Sequence, residues 1–151
     1  MLNAIKKFFE QNLSPEQTED QEHALKLATA ALLIEMMQQD GKTTDNEVQA
    51  VKSALQIKFG LTESETETLF ELAREETRQA VDFYQFTRLI NDHFSPEKKI
   101  KVIEFLWNIA YSDNHLDAHE EHMIRRIAEL LYVSHKDMMK TKHKVQESIT
   151  S

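Results

Sequence analysis

Apolar residues recur at helical spacing along most of the chain, which is the pattern of helices with a buried face. Residues 23–39 and 97–112 are apolar almost all round, as is typical of helices at the centre of a bundle. The pattern predicts an all-α, single-domain bundle of about seven to eight helices. The other predicted helices cover 2–12 and 81–94 or begin after Thr44, Thr62, Asp117 and Ser134.

Turn-forming residues are scarce, since the chain contains only two glycines and two prolines. A β-sandwich or barrel needs turns at short intervals, so the composition argues against both. The same scarcity excludes the glycine-rich loops that cradle phosphates. We assign residues 1–22 to an N-terminal amphipathic helix and a polar linker, and residues 23–147 to the helical domain. The N-terminal helix is expected to pack on the bundle rather than on a membrane.

The two halves of the domain resemble each other. A shift of 73 residues carries Leu33 to Leu106 and Asp40 to Asp113, so that each half contains an apolar helix, an acidic loop and further capped helices. Later in the repeat the shift is shorter by one residue, so that Leu61 corresponds to Val133. We therefore predict an internal repeat about a pseudo-twofold axis, with the two apolar helices at the centre.

The chain carries a formal net charge of −8, from 26 acidic and 18 basic side chains. Binding to a nucleic-acid backbone requires a clustered basic surface, so we expect no nucleic-acid partner. No cysteine is present, which excludes disulfides, thiolate zinc sites and cysteine nucleophiles and fits a reducing cytoplasm. With no signal peptide and no apolar run near the ~20 residues of a transmembrane helix, we expect a cytoplasmic location.

Each apolar helix is followed by an acidic loop whose carboxylates could meet when the loop folds. Carboxylates, helix-terminal carbonyls and water are the ligands that Ca²⁺ and Mg²⁺ select, whereas Zn²⁺ is suited to nitrogen and sulfur. The spacing is not that of an EF-hand, because the twelfth residue counted from Asp113 is Ile124 rather than a glutamate. The candidate ligands are Asp40, Asp45 and Glu47 in the first loop and Asp113, Asp117 and Glu120 in the second.

The same residues also have a purely structural interpretation, and the sequence leaves both open. Thr44 with Glu47, and Asp117 with Glu120, match the capping box that satisfies backbone N–H groups at the start of a helix. An aspartate nevertheless ends the helix before each loop, where the helix dipole disfavours an anion. A cation that bridges this aspartate to the next helix would remove the conflict.

Three histidines surround the second loop, but their spacing matches no familiar catalytic zinc site. His119 and His122 are one residue too close for the HExxH motif, so we expect these two and His115 to be surface residues. No Ser-His-Asp arrangement stands out, and we expect no enzymatic activity. A metal-dependent hydrolase that uses Asp113, Glu120 and these histidines is a third hypothesis.

Three segments of the chain resemble the tellurite resistance protein B (TerB-like) family. They read ALLIEMMQQDG at 31–41, DFYQFTRLIN at 82–91 and LWNIAYSDNHLDAHEEHMIRRIAELL at 106–131, and the likeness extends over residues 24–143. The resemblance implies an all-helical fold, no known catalytic activity and an association with tellurite and other chemical stress. It also implies divalent cation binding by acidic loop residues.

Carried over to this sequence, the family pattern adds Glu121 to the candidate ligands of the second loop. Asn114 stands where the family usually has glycine, and asparagine tolerates the left-handed conformation that such a turn needs. Fusions within the family imply a protein partner, including a membrane-associated one. We expect a non-enzymatic stress-response domain that binds a divalent cation and docks to a partner. The alternative is a pure interaction module whose acidic loop residues are only helix caps.

Overall fold

The computed structural model describes residues 3–13, 20–41, 43–79, 84–111 and 118–150, and all regular structure in these ranges is helical. The predicted all-α bundle is confirmed. The helices within these ranges are α1 (Asn3–Phe8), a π-helix (Phe9–Leu13), α2 (Gln21–Asp40), α3 (Asp45–Phe59), α4 (Glu63–Gln79), α5 (Gln85–His93), α6 (Pro96–Ala110), α7 (Ala118–Leu130) and α8 (His135–Thr150). None of these described helices has the length and apolar character needed to cross a bilayer.

Helix α2 lies at the centre of the bundle and contacts α3, α4, α5, α6, α7 and the π-helix. Its residues from Leu27 to Met37 are all buried, so every side of the helix faces protein. The helix begins two residues before the predicted start because the Asp20 side chain accepts a hydrogen bond from the His23 amide. It ends where Gly41 adopts a left-handed conformation that glycine takes without strain.

Helix α6 is the second central helix and contacts α2, α3, α7 and α8. Ser95 caps its start by accepting from the Lys98 amide, and Pro96 occupies the first helical position as predicted. Trp107 is fully buried within this helix. The central position of α2 and α6 therefore agrees with the apolar patterning of the sequence, whereas the pseudo-twofold relation between the halves stays a prediction.

The N-terminal helix packs on the bundle through one apolar face. Ile5, Phe9 and Leu13 are all part of the hydrophobic core. The ring of Phe8 meets Phe86 of α5 edge-on, with 6.2 Å between ring centroids. The predicted helix over 2–12 is observed as α1 followed by a π-helix, which keeps both Phe9 and Leu13 on the buried side.

The predicted helix over 81–94 is shorter in the structure. Residues 80–83 lie outside the described ranges, and α5 runs only from Gln85 to His93. Tyr84 does not continue a helix, because it has a left-handed backbone with φ of 61°. The start predicted for this helix is therefore wrong for Tyr84, although the buried face formed by Phe86 and Ile90 was predicted correctly.

The turns that follow α3 and α7 share a left-handed residue. Gly60 has φ of 67° after α3, and Tyr132 has φ of 61° after α7. The turn after α7 is closed by hydrogen bonds from the Tyr132 amide to the Glu129 carbonyl and from the Val133 amide to the Ala128 carbonyl. Tyrosine occupies this conformation at an energetic cost that glycine avoids.

Replacing Tyr132 with glycine is expected to stabilise the protein. The side chain is 84% exposed, so its removal sacrifices little packing while the left-handed strain disappears. We expect Tyr132→Gly to raise the free energy of unfolding by about 0.5–1 kcal/mol relative to Tyr132→Ala, which removes the ring but keeps the strain. Urea denaturation of both variants measures the difference. Equal stability of the two would show that the strain is absent.

Candidate functional site

The first acidic loop connects α2 to α3 and contains a complete capping box. The Thr44 hydroxyl oxygen accepts a hydrogen bond from the Glu47 amide at 3.2 Å. In return, Glu47 Oε1 accepts from the Thr44 amide and from the Thr44 hydroxyl, both at 3.0 Å. The capping box predicted for Thr44 and Glu47 is therefore confirmed, and these contacts give Glu47 a structural role at the start of α3.

The two other acids of the first loop lie at opposite helix ends. Asp40 is the last residue of α2, is half-buried, and stands at the negative end of that helix dipole. Asp45 is exposed in the first turn of α3, where a negative charge is favourable. Among the described residues, no group of three or more histidine, aspartate or glutamate side chains could hold a metal ion. The prediction that Asp40, Asp45 and Glu47 bind a cation therefore stays a prediction.

The second acidic loop is only partly within the described ranges. Asp113, His115 and Asp117 lie outside them, as does the side chain of His119. The predicted cation site that uses Asp113 and Asp117 therefore stays a prediction. Glu120 and Glu121 are described, and both lie in the first turn of α7.

Glu121 is engaged by two cations of the protein itself. Its Oε1 atom lies 3.1 Å from Lys142 Nζ on α8 and 3.2 Å from an Arg125 guanidinium nitrogen one turn along α7. The hydrogen bond from Lys142 holds the pKa of the Glu121 carboxyl below its usual range, and Arg125 acts in the same direction. Lys142 also lies over the Trp107 ring, 5.5 Å from its centroid. Glu121 thus joins α7 to α8.

Glu120 has different surroundings from its neighbour. It lines a small pocket between α2, α3, α6 and α7. The other residues that line this pocket are all apolar: Leu33, Val51, Leu106, Ile109, Ala110, Met123 and Ile124. The pocket therefore lies beside the end of α6 and the start of α7, the two helices that the second acidic loop connects.

A pair of buried carboxyl groups elsewhere in the bundle was not predicted as a site. Glu35 on α2 is 1% exposed and Glu76 on α4 is 3% exposed, and the two side chains share a hydrogen bond. Among the described residues, they are the only ionisable side chains that are buried. We call Glu35 and Glu76 the carboxyl pair.

The carboxyl pair binds the first backbone N–H groups of α5. The Phe86 amide donates to Glu35 Oε2 at 2.9 Å, and the Thr87 amide and hydroxyl donate to Glu35 Oε1 at 3.2 and 2.8 Å. The Gln85 amide donates to Glu76 Oε2 at 3.0 Å. Side chains from two other helices therefore cap α5, in place of the residue before it.

The buried position of Glu35 changes its protonation. Burial, and secondly the adjacent charge of Glu76, raises the pKa of the Glu35 carboxyl to about 8, although hydrogen bonds from Phe86 and Thr87 oppose the shift. A hydrogen bond between two carboxyl groups requires a proton on one of them. The carboxyl pair therefore retains one proton at neutral pH.

A signal for the carboxyl pair was present in the sequence. Glu35 is the only charged residue between Ala28 and Met37, a stretch that is otherwise almost entirely apolar. Glu76 follows Ala73 and Phe70 on the buried face of α4, at a position where the helical period requires an apolar residue. An acidic residue at a core position indicates a specific partner.

The family model described as tellurite resistance protein TerB matches residues 26–143. The chain belongs to the TerB family. All three segments that carry the resemblance in the sequence lie inside the matched region. No curated protein and no solved structure matches the chain in the corresponding comparisons.

The TerB match includes both acidic loops and the carboxyl pair, since residues 35 to 121 all fall within it. It supports a helical domain of the tellurite-resistance type. The first eleven described residues, which form α1 and the π-helix, precede the matched region although they pack into the same core.

The carboxyl pair predicts that stability falls as pH rises through the neutral range. Because the pKa of Glu35 is about 8 in the folded protein and near 4.5 when exposed, the folded state holds a proton that the unfolded state loses. We expect the free energy of unfolding to fall by about 1.4 kcal/mol per pH unit at most between these values. Carboxyl groups with lowered pKa values, such as Glu121, instead lose their contribution to the free energy of unfolding at acidic pH, where they become protonated.

Urea denaturation across this pH range measures the slope. Glu35→Gln is neutral at every pH, so most of the slope is expected to disappear in that variant even if its stability is lower throughout. Glu22→Gln, an equivalent change at an exposed position of α2, is the matched control and should keep the slope. An unchanged slope in Glu35→Gln would assign the pH dependence to other groups.

Proposed function

We propose that this TerB-family chain is a non-enzymatic helical domain that binds a divalent cation at its second acidic loop and docks to a protein partner. The observation that supports the proposal best is the TerB-family match over residues 26–143, which includes the acidic residues of both loops. Glu120 lies in the first turn of α7, shortly after Asp113 and Asp117 in the sequence. Asp113, Asp117 and Glu120 would supply carboxylate oxygens, which are ligands that Ca²⁺ and Mg²⁺ prefer.

Oxygen-rich ligands favour Ca²⁺ or Mg²⁺ at this loop over Zn²⁺, because the chain contains no cysteine to provide thiolate. The first loop has a weaker case, since Glu47 is already occupied by the capping box with Thr44. Asp40 and Asp45 are therefore assigned only a secondary part in cation binding. Asp40 is half-buried at the end of α2, and Asp45 is exposed at the start of α3.

The proposed docking surface is the apolar pocket that Glu120 borders. Its walls come from four helices, and its apolar lining residues other than Val51 are buried, so docking of a partner there requires a displacement of α7. A cation on the adjacent loop would couple the position of α7 to the shape of this pocket. We assign the partner as a protein that presents an apolar side chain, in a cytoplasmic response to tellurite or related stress.

The alternative function is an interaction module that binds no cation. The complete capping box of Thr44 and Glu47 favours it, because these contacts account for the acid of the first loop without a metal. If Asp117 and Glu120 form the equivalent box at the start of α7, the same account covers the second loop. The two functions differ in whether the second loop binds a cation.

Calorimetric titration of the metal-stripped chain with Ca²⁺, Mg²⁺ and Zn²⁺ separates the two functions. We expect saturable binding of Ca²⁺ or Mg²⁺ with a dissociation constant on the order of 0.1–1 mM, because the loop lacks the EF-hand ligand arrangement. The variant Asp113→Asn/Asp117→Asn should lose this binding while its circular dichroism spectrum remains helical.

Glu120→Gln and Glu121→Gln form a matched pair of neighbouring substitutions. Glu120→Gln is expected to weaken cation binding about tenfold or more, whereas Glu121→Gln removes the ion pairs with Lys142 and Arg125 and should leave the affinity unchanged. No heat at millimolar Ca²⁺ or Mg²⁺ would support the alternative, in which the acids of both loops are helix caps.

A further inference from the structure

The first turn of α5 depends on groups that lie far away in the sequence. Tyr84 occupies the N-cap position with φ of 61° and makes no side-chain cap hydrogen bond. The amides of Gln85, Phe86 and Thr87 all donate to the carboxyl pair instead. The next amide, that of Arg88, already bonds within the helix to the Tyr84 carbonyl. The carboxyl pair thus provides the complete N-terminal cap of α5.

The surroundings of the carboxyl pair contain little other charge. From α2, Gln39 donates to Glu76 at 3.2 Å, and from α4 the group that faces Glu35 is Glu76 itself. The buried residues of α3, α6 and α7, all of which contact α2, are uncharged. The charged side chains of α1, the π-helix and α5 are exposed: Lys6, Lys7, Glu10, Arg88, Asp92 and His93.

Without its proton, the carboxyl pair would place two negative charges side by side in a buried site. No buried cation is present among the described residues to offset them. The N–H groups at the start of α5 stabilise one negative charge well, as helix N-termini generally do. A second buried charge is costly, and exposure to water is the way to relieve it.

We propose that the carboxyl pair is a proton-dependent switch, in which one shared proton holds α5 against α2 and α4 and loss of that proton releases α5 while the central bundle stays folded.

Helix α5 is the element best suited to move in this way. It has nine residues, and so short a helix has little stability without its tertiary contacts and caps. Release would expose Phe86 and Ile90, which are buried in the closed bundle. It would also break the contacts of the N-terminal helix with this region, in which the Phe8 ring packs on Phe86 and the Phe9 ring on Phe94. Higher pH would therefore uncover an apolar surface near the N-terminal helix.

Hydrogen exchange of the full chain, followed by NMR with correction for intrinsic rates, tests the proposal. Between about pH 6 and about pH 8, the protection factors of the α5 amides are expected to fall about tenfold per pH unit, and to level off above that range. Low urea concentrations should leave the exchange rates of the α5 amides unchanged, because a local opening exposes little surface. The α6 amides exchange by global unfolding, so their exchange rates should rise with urea concentration. As the pH is raised, the amide resonances of Phe86 and Thr87 should shift with the same titration midpoint as the carboxyl carbon of Glu35.

Two neighbouring substitutions on α4 provide the matched variants. Glu76→Gln removes the adjacent negative charge but leaves Glu35 buried, so the fall in α5 protection with pH should be smaller and should level off at a lower pH than in the wild type. Glu75→Gln makes the same chemical change at an exposed position and should leave the wild-type fall unchanged. The proposal is overturned if α5 protection is independent of pH, if α5 and α6 exchange with the same urea dependence, or if Glu75→Gln reduces the effect as much as Glu76→Gln. Even if Glu76→Gln fails to fold, the wild-type NMR titration shows whether α5 is released when Glu35 loses its proton.

Discussion

The complete burial of the central part of α2, residues 27–37, sets the arrangement of the other helices. A helix that is apolar on all sides must be covered on all sides, and α2 contacts five other α-helices and the π-helix. Helix α6 covers one side with an equally apolar surface, and α4 and α5 cover another. Because no side of α2 is left for solvent, any polar residue in its centre has to find a partner inside the protein.

Glu35 is that residue, and the hydrogen bonds of its carboxyl group determine how α4 and α5 meet. Its carboxyl group accepts three hydrogen bonds from Phe86 and Thr87 and shares a further one with Glu76. These contacts offset the cost of burying an ionisable group, and they fix the position at which α5 starts.

The features that were predictable from the sequence are those encoded by residues close together in the chain. The central helices follow from apolar periodicity, and the caps formed by Thr44 with Glu47 and by Ser95 with Pro96 follow from local motifs. The start of α5 was not predictable in this way, because its cap comes from a residue 51 positions away. The contact of Glu121 with Lys142 is non-local for the same reason. The proposed ligands Asp113 and Asp117 lie outside the described residues, and their role stays a prediction.

The N-terminal helix shares one hydrophobic core with the region that matches the family model. That region begins at residue 26 and ends at residue 143, but Ile5, Phe9 and Leu13 before it and Val145 after it are all buried in the shared core. A fragment cut at the family limits would leave uncovered the faces of α5 that hold the rings of Phe8 and Phe9. The buried core is thus larger than the region that matches the family model, and the segments on either side of that region complete the interior.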